Sequence, residues 1–348
     1  MFTVAAVCFC LAATGCKKYD NSIPNWPWND PDDNPEPEPE FVDPNPEVVA
    51  LGWINVMDAY GTLPEHISVY RSPETLEGQK AVAYIAVEDL SKASFGVWGI
   101  SDPKLSGSED DLKTPSDVYK DKNYPAIVVN GGYFYSDSGT NYASSLAVSE
   151  GTLLSPNINY ASQDWVTIYY PTRAAFVEHK DGSIEACWTY FANSGHFMYQ
   201  SPAENSWEED PLDVPSATFP SEGAEFEAVN GIGGGPVLLK GGAVKNTGAE
   251  ELFSETTDVG YGISNPRTAI GKTDGGKLVL FVCEGRQMTD GVAGLTTAEV
   301  ADILKSLGCT EAINLDGGGS SCMLVNGKET IKVSDGSQRK VGSCVYLN

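Results

Sequence analysis

The feature that most constrains this chain is a pattern that occurs three times: an apolar run, typical of a strand buried in a sheet, stops at a turn rich in Asn and Gly. The copies read AIVVNGGYF at 126–134, FEAVNGIGGGPVLL at 226–239 and AINLDGGGSS at 312–321. Consecutive glycines lose much conformational entropy on folding, so they persist where the backbone needs a positive φ or where another group approaches it closely. One such turn is ordinary hairpin chemistry, but three of them favour a site built at strand ends.

The rest of the chain alternates short β-type runs with Gly, Asp and Asn turns. This pattern predicts an α+β fold with mixed, largely antiparallel β-sheets, few helices and a β-rich N-terminal part. One helix is clear, because Thr296 and Glu299 form a capping box and an i, i+3, i+4, i+7 apolar stripe runs from Val300 until Gly308 stops it. A polar, proline-rich stretch at 201–223 predicts either a lid or a disordered insertion.

The N-terminus predicts export. Residues 1–16 read MFTVAAVCFCLAATGC, an apolar run that ends in small residues before Cys16. This is typical of a bacterial lipoprotein signal, with an ordinary secretory signal as the alternative. The next stretch is acidic and proline-rich, which predicts a semi-rigid linker. We therefore expect a signal at 1–16, a linker at 17–47, a β-rich N-terminal subdomain at 48–110 and a second domain at 111–348.

Location and partners follow from these segments and from charge. We expect a cell-envelope protein, periplasmic or at the cell surface, held on a bacterial membrane through a lipid on Cys16. The sequence contains no second apolar run of about 18 residues, the length that would predict a membrane span. The formal net charge of -26 disfavours nucleic acid and anionic surfaces as partners. An anionic ligand must therefore be bound locally, by arginines or by backbone N–H groups.

Cysteine and histidine chemistry has little support. Of the eight cysteines, three lie within residues 1–16, which leaves five without C-x-x-C spacing. An odd number predicts at least one free thiol, and the spacing disfavours a metal cluster. The three histidines are scattered outside the Gly-rich motifs, which disfavours a Ser-His-Asp or His-metal mechanism. No cofactor is predicted, and a divalent cation such as Ca or Mg is left open.

A predicted hairpin at 265–287 would place two charges opposite each other. If Gly275-Gly276 is a two-residue loop, counting back along both strands sets Arg267 directly opposite Glu284. The alternative is an ordinary cross-strand ion pair without a role in chemistry. Arg286 would project from the same face as Glu284 if the strand continued.

Four blocks together resemble the phosphodiester glycosidase family. They read VNGGYF at 129–134, GIGGGPVLLKGG at 231–242, NPRTAIG at 265–271 and GLTTAEVADILKSLGCTEAINLDGGGSSCMLVNGK at 294–328, in the family's order. The resemblance implies that 111–348 is a phosphodiester glycosidase domain, a glycosidase-type hydrolase. Such an enzyme cleaves the bond between a sugar's anomeric carbon and a phosphodiester oxygen, here on an exported glycan or glycoconjugate. The implied partner is a carbohydrate phosphodiester substrate.

The resemblance also implies site residues. It carries over, as pocket residues, Asn130, Gly131, Gly132, Arg267, Asn314, Asp316, Gly317, Gly318, Gly319 and Ser320. The Gly-rich turns and strand ends add Asn230, Gly234, Gly235, Arg286 and Ser321 as expected substrate-binding residues.

The chemistry assigns roles within this set. A phosphate monoester has a second pKa of about 6, so it leaves with little help from a general acid. Asp316 is expected to stabilise positive charge at the anomeric carbon, and either to activate water or to form a glycosyl intermediate. Glu284 is the expected helper, and Arg267 with Gly-loop N–H groups is expected to hold the phosphate.

Two other functions stay open at this point. One is a non-catalytic glycan-binding surface lipoprotein, whose stacking platforms would be Tyr133, Phe134, Tyr135 or Trp207 if these aromatic rings are not core. The other is a metal-assisted phosphodiesterase that cleaves the P–O bond, with the carboxylates of Asp316 and Glu284 as metal ligands.

Overall fold

Short strands and tight turns make up most of the structure, a computed structural model that describes residues 42–348. In chain order the strands are β1 (Ile54–Asn55), β2 (Ile67–Arg71), β3 (Thr75–Leu76), β4 (Gln79–Lys80), β5 (Ala83–Asp89), β6 (Gly96–Gly99), β7 (Ile127–Asn130), β8 (Phe134–Asp137), β9 (Thr140–Ala143), β10 (Ala147–Ser149), β11 (Thr152–Ser155), β12 (Arg173–Glu178), β13 (Ile184–Ala192), β14 (Gly195–Tyr199), β15 (Ala224–Glu225), β16 (Asn230–Gly233), β17 (Val237–Lys240), β18 (Ala243–Val244), β19 (Arg267–Thr273), β20 (Lys277–Cys283), β21 (Cys309–Asn314), β22 (Met323–Val325), β23 (Lys328–Glu329) and β24 (Ser343–Leu347). The helices are α1 (Pro46–Ala50), α2 (Pro103–Ser106), α3 (Pro115–Asp121) and α4 (Thr297–Ser306), with 3-10 turns at Met57–Ala59 and Gly318–Ser320. None of these helices is long and apolar enough to cross a membrane.

The strands form three main sheets. The first has the order β1-β2-β5-β20-β19-β21-β17-β18, the second β11-β10-β16-β12-β13-β14-β15, and the third β23-β22-β7-β24-β6. Two ribbons, β3-β4 and β8-β9, pair only within themselves. The strand pairings are antiparallel. The predicted α+β fold with largely antiparallel sheets and few helices is confirmed.

Apolar side chains from all three sheets meet in a central core. Ile270 of β19, Phe176 of β12 and Met323 of β22 belong to this one cluster of buried residues. Each fully buried side chain of this size contributes about 1.5–3 kcal/mol, so the sheets are held firmly against one another. The ends of their strands therefore form a rigid support for the turns that follow them.

Helix α4, which the sequence predicts, covers one face of the first sheet. The Thr296 hydroxyl accepts a hydrogen bond from Glu299 N (3.2 Å), and the Glu299 carboxylate accepts one from Thr296 N (2.7 Å). Val300 and Leu304 are buried with Phe281 of β20. The capping box and the apolar stripe are both confirmed, and the helix leads the chain into β21.

Residues 48–110 do not stand apart from the rest of the structure. Strand β5 lies between β2 and β20 in the first sheet, and β6 pairs with β24 in the third. Residues Asp43–Asn348 form one compact unit. The expected boundary after residue 110 therefore does not divide the described structure, because these early strands complete sheets built from much later ones.

The end of the predicted linker belongs to the same unit. Asn45 is buried, and its side-chain amide donates a hydrogen bond to the Tyr70 hydroxyl (2.9 Å). The Tyr70 hydroxyl in turn donates to the Asp43 carboxylate (2.7 Å). The predicted signal with Cys16, and residues 17–41 of the predicted linker, lie outside the described residues.

The predicted register of the β19–β20 hairpin is wrong by one residue. Arg267 pairs with Cys283, not with Glu284. The loop has three residues rather than two, because Gly276 adopts a φ of 75° and its N–H donates to Thr273 O (3.2 Å). Side chains alternate between the two faces of a sheet, so a shift of one residue puts Glu284 and Arg267 on opposite faces.

Three further hairpins join strands that are neighbours in sequence. Strand β10 pairs with β11, β12 with β13, and β22 with β23 across Asn326-Gly327. The stretch at 201–223 packs against the second sheet, where the Tyr199 hydroxyl donates to Ser216 O (2.8 Å). Its Trp207 ring centroid lies 5.0 Å from that of Tyr169. Trp207 is thus packed in this stretch and is not a free platform.

The cysteines are part of the core. Within residues 42–348 they are all free and buried, at positions 187, 283, 309, 322 and 344. The expectation of at least one free thiol is confirmed. Burial raises the pKa of the Cys283 thiol to about 12, so this thiol stays protonated and acts as a small apolar side chain.

Candidate active site

A cavity of about 420 Å³ opens beside the strand ends of β7, β16 and β21. Its charged lining residues are Arg173, Arg267, Arg286, Arg339, Asp258 and Asp316. Four guanidinium groups against two carboxylates make the cavity locally positive in a chain whose net charge is -26. Such a positively charged cavity can bind an anion locally, although the net charge of the chain repels anions at long range.

Asp316 follows β21 and is held by its backbone. Its N–H donates to Gly131 O (2.9 Å), and its carbonyl oxygen accepts from the Asn130 side-chain amide (2.6 Å). Burial raises the pKa of its carboxyl to about 6, while the Ser320 hydroxyl, the Arg339 charge and the Gly317 N–H act in the opposite direction. Asp316 is therefore a carboxylate that titrates near neutral pH inside the cavity, a property common at catalytic sites.

Asn130 lies beneath the cavity and does not line it. The side chain is fully buried, and its oxygen accepts hydrogen bonds from the Thr268 hydroxyl (2.8 Å) and from Cys322 N (3.1 Å). With the bond to Asp316, this one amide ties together the end of β7, strand β19 and the Gly-rich loop. The expected substrate contact is thus replaced by a positioning role.

Asn314 has a similar place below the cavity. Its amide donates to Gly235 O (2.9 Å) and to the Tyr133 hydroxyl (3.0 Å). That hydroxyl donates in turn to Gly235 O (2.6 Å). The three Gly-rich segments of the sequence are therefore in contact. Asn130 joins the first to the third, and Asn314 joins the second to the third.

Close approach explains two of the glycines. A Cβ on Gly234 would collide with the Asn314 carbonyl oxygen, so the second turn can lie against β21 only with glycine there. Gly318 has a φ of 58°, and a Cβ there would meet the Arg286 guanidinium at 2.7 Å. Glycine at position 318 therefore allows the loop to lie against the Arg286 guanidinium.

Arg267 lines the cavity with most of its donors already used. Its guanidinium donates to four backbone carbonyls, those of Leu295 (2.8 Å), Val259 (2.8 Å), Gly260 (2.6 Å) and Ile263 (2.6 Å). The residue is 1% exposed. We therefore assign Arg267 to holding the cavity wall, and the expectation that it grips a phosphate loses its geometric basis.

Glu284 does not reach the cavity. Its carboxylate is buried on the opposite face of the first sheet, where one oxygen accepts from Lys332 N (3.0 Å). The expected ion pair with Arg267 does not form among the described residues, because the hairpin register differs by one residue from the predicted one. The structure does not bring Glu284 next to Asp316.

Arg173 was missed by the sequence reasoning. It is 8% exposed, lines the cavity, and its guanidinium carbon lies 4.0 Å from the centroid of the Phe253 ring. Its Nε has no hydrogen-bond partner within residues 42–348. Burial lowers the pKa of this guanidinium to about 10, while the Glu251 charge acts in the opposite direction, so it stays charged at neutral pH.

Glu251 supports Arg173 from below. Its buried carboxylate accepts from Val237 N (2.8 Å), the Thr247 hydroxyl (2.6 Å) and Ala174 N (2.9 Å). Because these donors already bind it, Glu251 supplies negative charge without closing a salt bridge on Arg173. A buried cation with an unpaired N–H beside a cavity is poised for an anion.

Arg286 and Arg339 stand at the rim. Arg339 pairs with Asp335 (2.6 Å), and Arg286 approaches the same carboxylate at 3.9 Å. Strand β20 ends at Cys283 and Arg286 has a φ of 54°, so the chain turns here rather than continuing on the face of Glu284. This turn is what carries Arg286 to the cavity.

The predicted site residues fall into three groups. Those that line the cavity are Gly234, Arg267, Arg286, Asp316, Gly317, Gly318 and Gly319. Those buried or packed around its lining are Asn130, Gly131, Gly132, Gly235, Asn314, Ser320 and Ser321. Asn230 and Glu284 lie elsewhere. The Asn230 amide donates to the Glu178 carboxylate (2.7 Å) on the second sheet, and Asn230-Gly231 opens strand β16 instead of forming the expected turn.

The donor set for a metal is sparse. Among the described residues no group of three or more His, Cys, Asp and Glu side chains is placed to hold a metal ion. Of Asp316 and Glu284, the ligands expected for a metal-assisted phosphodiesterase, only Asp316 lines the cavity. The residues present therefore do not fit that ligand pair.

The fold and the cavity together define a class of β-rich proteins in which a titratable carboxylate lies among clustered arginines. The family model described as phosphodiester glycosidase matches residues 123–348. The chain belongs to the phosphodiester glycosidase family, and the resemblance of its sequence blocks is confirmed.

Individual relatives match over shorter stretches. The chain is 35% identical over 82 residues, 24% of its length, to mouse N-acetylglucosamine-1-phosphodiester alpha-N-acetylglucosaminidase, and 32% identical over 113 residues, 31% of its length, to the human protein of that name. It is 38% identical over 86 residues, 25% of its length, to the SPbeta prophage-derived uncharacterized protein YomE of Bacillus subtilis strain 168. The match spans only 15%, 21% and 13% of these three relatives, respectively.

Solved structures support the fold. The zebrafish N-acetylglucosamine-1-phosphodiester alpha-N-acetylglucosaminidase catalytic domain, auto-inhibited by its pro-peptide, aligns with a TM-score of 0.55 at 23% identity, covering 83% of this chain and 85% of that one. A hypothetical protein from Synechocystis aligns with a TM-score of 0.52 at 16% identity, covering 82% and 64%. At these identities the likeness concerns the fold.

Proposed function

We propose that the chain hydrolyses the glycosidic bond of a sugar-1-phosphodiester. The observation that carries the proposal is that the Asp316 carboxylate, whose pKa is raised to about 6, shares one cavity with the incompletely paired Arg173 guanidinium. Such a cavity has one group for the anomeric carbon and one for the phosphate. Membership of the phosphodiester glycosidase family supports the same reaction.

The leaving group explains why one carboxylate suffices. Glycosidases acting on sugar alcohols use a second carboxylic acid to protonate the departing oxygen. A phosphate monoester has a second pKa of about 6 and departs as an anion without that proton. The absence of Glu284 from the cavity is therefore compatible with catalysis, because a general acid is not required.

Asp316 acts in its ionised form. Its carboxylate stabilises the positive charge that develops at the anomeric carbon, and it either attacks that carbon or orients a water molecule toward it. The C1–O bond breaks, its electron pair stays on the phosphate oxygen, and water supplies the new hydroxyl group of the sugar. The raised pKa of Asp316 makes this carboxylate more basic than a solvated one.

The phosphate is held by other arginines than the expected one. Arg173 has an Nε that lacks a partner within the described structure, and Arg286 and Arg339 keep side chains that are 47% and 40% exposed. Their charges neutralise the phosphodiester and the monoester product. Arg267, whose guanidinium is bound to four carbonyls, keeps the wall in place.

The mouse and human relatives are named for N-acetylglucosamine, so we propose an N-acetylated hexosamine-1-phosphodiester on an exported glycan or glycoconjugate as substrate. We further propose that the protein acts in the cell envelope, anchored through Cys16. Both statements rest on the predicted signal and on the relatives' names.

The test is hydrolysis of an N-acetylglucosamine-1-phosphodiester with a small aglycone by the purified chain. Asp316→Asn is expected to lower kcat by about 10²–10⁴-fold, while the matched control Glu284→Gln, a buried carboxylate outside the cavity, keeps the wild-type rate. Full turnover by a folded Asp316→Asn protein would remove the proposed role. Sugar binding without turnover would instead select the glycan-binding alternative, and loss of activity with a chelator would select the metal-assisted one.

A further inference from the structure

A second cavity adjoins the candidate active site. Its volume is about 170 Å³, and it shares two lining residues, Tyr135 and Ile158, with the larger cavity. The other side chains that matter here are Tyr142, Tyr160 and Phe191. Four aromatic rings thus line one small groove that continues from the site of chemistry.

Two of the three tyrosines lie on a ribbon outside the main sheets. Tyr135 and Tyr142 are cross-strand partners in the β8–β9 ribbon, which pairs with no other described strand. Their rings are stacked with centroids 5.0 Å apart and an interplanar angle of 16°. Tyr135 is 40% exposed and Tyr160 is 39% exposed. Core packing does not account for exposed rings gathered at a cavity mouth.

The tyrosine side chains cluster at one point. Burial raises the pKa of Tyr135, and the neighbouring Tyr160, Tyr142 and Asp102 act in the same direction. Asp102 and Lys104 also line the groove. The groove therefore combines flat apolar faces with a carboxylate and an ammonium group at its edge, while its lining contains no arginine.

This chemistry suits a pyranose ring and not a second phosphate. The C–H face of a pyranose packs on an aromatic ring, and its hydroxyl groups bond with tyrosine hydroxyls and with charged side chains at the edge. An additional anion would meet the Asp102 carboxylate, with Lys104 as the one basic side chain in the lining.

We propose that Tyr135, Tyr142 and Tyr160 form a subsite for a second sugar ring of the substrate, beyond the ring whose glycosidic bond is cut. The kinetic test of this proposal rests on the proposed function, because it measures hydrolysis. The binding test with a neutral oligosaccharide does not depend on that function. The ring belongs either to a longer glycan on the sugar side or to a glycosyl group on the far side of the phosphate.

The kinetic experiment compares kcat/KM for three sugar-1-phosphodiesters: one with a methyl aglycone, one with a hexosyl aglycone and one with a disaccharide in place of the single sugar. One of the two-ring substrates is expected to exceed the methyl compound by about threefold to tenfold, the value of one aromatic stacking contact. Which of them does so identifies the source of the ring. Tyr142→Ala and Tyr160→Ala are each expected to bring this ratio toward one.

The controls separate stacking from structure. Tyr142→Phe is expected to preserve the ratio, because it keeps the ring. Tyr124→Ala changes a tyrosine that is 62% exposed and lies outside both cavities, and it is expected to preserve the ratio as well. A wild-type protein without preference for either two-ring substrate, or equal loss on all three substrates in both alanine variants, would overturn the proposal.

A binding experiment covers the case in which nothing is hydrolysed. Saturation-transfer NMR of the full chain with neutral tri- and tetrasaccharides is expected to show contacts that Tyr160→Ala weakens and Tyr124→Ala does not. Such binding without turnover would support the groove while the proposed function fails. Turnover of the methyl compound without oligosaccharide binding or two-ring preference would do the reverse.

Discussion

Asn130 donates a 2.6 Å hydrogen bond to the backbone oxygen of Asp316, across 186 positions of the chain. Through this contact the end of β7 sets the position of the carboxylate that follows β21. The same amide oxygen accepts from Thr268 and Cys322, so three hydrogen bonds of one buried side chain join the loop to β19 and to the end of β7. Four expectations follow from this arrangement and from its neighbours.

Asn130→Ala is expected to lower both stability and kcat. The variant leaves buried partners unsatisfied, which costs about 1–3 kcal/mol, and a displacement of Asp316 by about 1 Å lowers kcat by about 100-fold. Urea denaturation and steady-state kinetics measure the two effects. Asn230→Ala is the matched control, because it removes the same residue type from the start of β16, outside the cavity. Equal losses in both variants would show that Asn130 does not position the site.

Arg173→Ala and Arg267→Ala are expected to fail in different ways. Arg173→Ala removes a charged donor to the ligand and should lower kcat/KM by about 10- to 100-fold, equivalent to about 1.4–2.7 kcal/mol, with a smaller loss of melting temperature than Arg267→Ala. Arg267→Ala frees four backbone carbonyls and should lower the melting temperature sharply. Thermal unfolding and inhibition by inorganic phosphate distinguish them. Unchanged phosphate inhibition in Arg173→Ala would exclude it from the phosphate site.

Activity is expected to rise with pH through about 6. Burial raises the pKa of Asp316 to about 6, and because the ionised form is the active one, kcat/KM falls as protons bind below that pH. The Arg339 charge lowers this pKa, so Arg339→Gln should move the acid limb of the pH profile to higher pH. If kcat/KM instead fell as the pH rises above 6, the protonated form of Asp316 would be the active one, and Asp316 would act as a proton donor.

Asp316→Asn is expected to stabilise the folded protein at neutral pH. The folded pKa of this carboxyl lies above its ordinary value of 3.8, so the wild-type protein loses stability as pH rises from about 4 through 6. Two pH units correspond to about 3 kcal/mol, and partial hydration of the cavity reduces the expected gain to about 1–2 kcal/mol at pH 7.5. Below pH 4 the two proteins should have the same free energy of unfolding. Equal stability at pH 7.5 would contradict a desolvated carboxylate.

Local signals predicted much of the fold. The capping box at Thr296 and the Asn326-Gly327 turn need only residues near in sequence, and both are present in the structure. The β19–β20 register failed because a Gly-Gly pair allows either a two- or a three-residue loop, and Gly276 takes the left-handed conformation that selects the longer one. The conformation of Gly276 therefore also decides on which face of the sheet Glu284 lies.

The site was predicted in part for a similar reason. Asp316 and the glycines after it stand out in sequence, whereas Arg173 depends on Phe253 and Glu251, more than seventy positions away. A signal for Arg173 exists nonetheless: it opens an apolar strand two residues after Pro171, much as Arg267 opens one after Pro266. Whether such an arginine is free or bound to carbonyls is decided by loops distant in sequence, which the pattern does not reveal.

The central claim is that Asp316 directs attack at the anomeric carbon. Hydrolysis of a sugar-1-phosphodiester in oxygen-18 water, followed by mass spectrometry of both products, tests it most directly. We expect the label in the hydroxyl group at C1 of the released sugar and none in the phosphate monoester. Label in the phosphate would show that the P–O bond breaks, and would contradict the account.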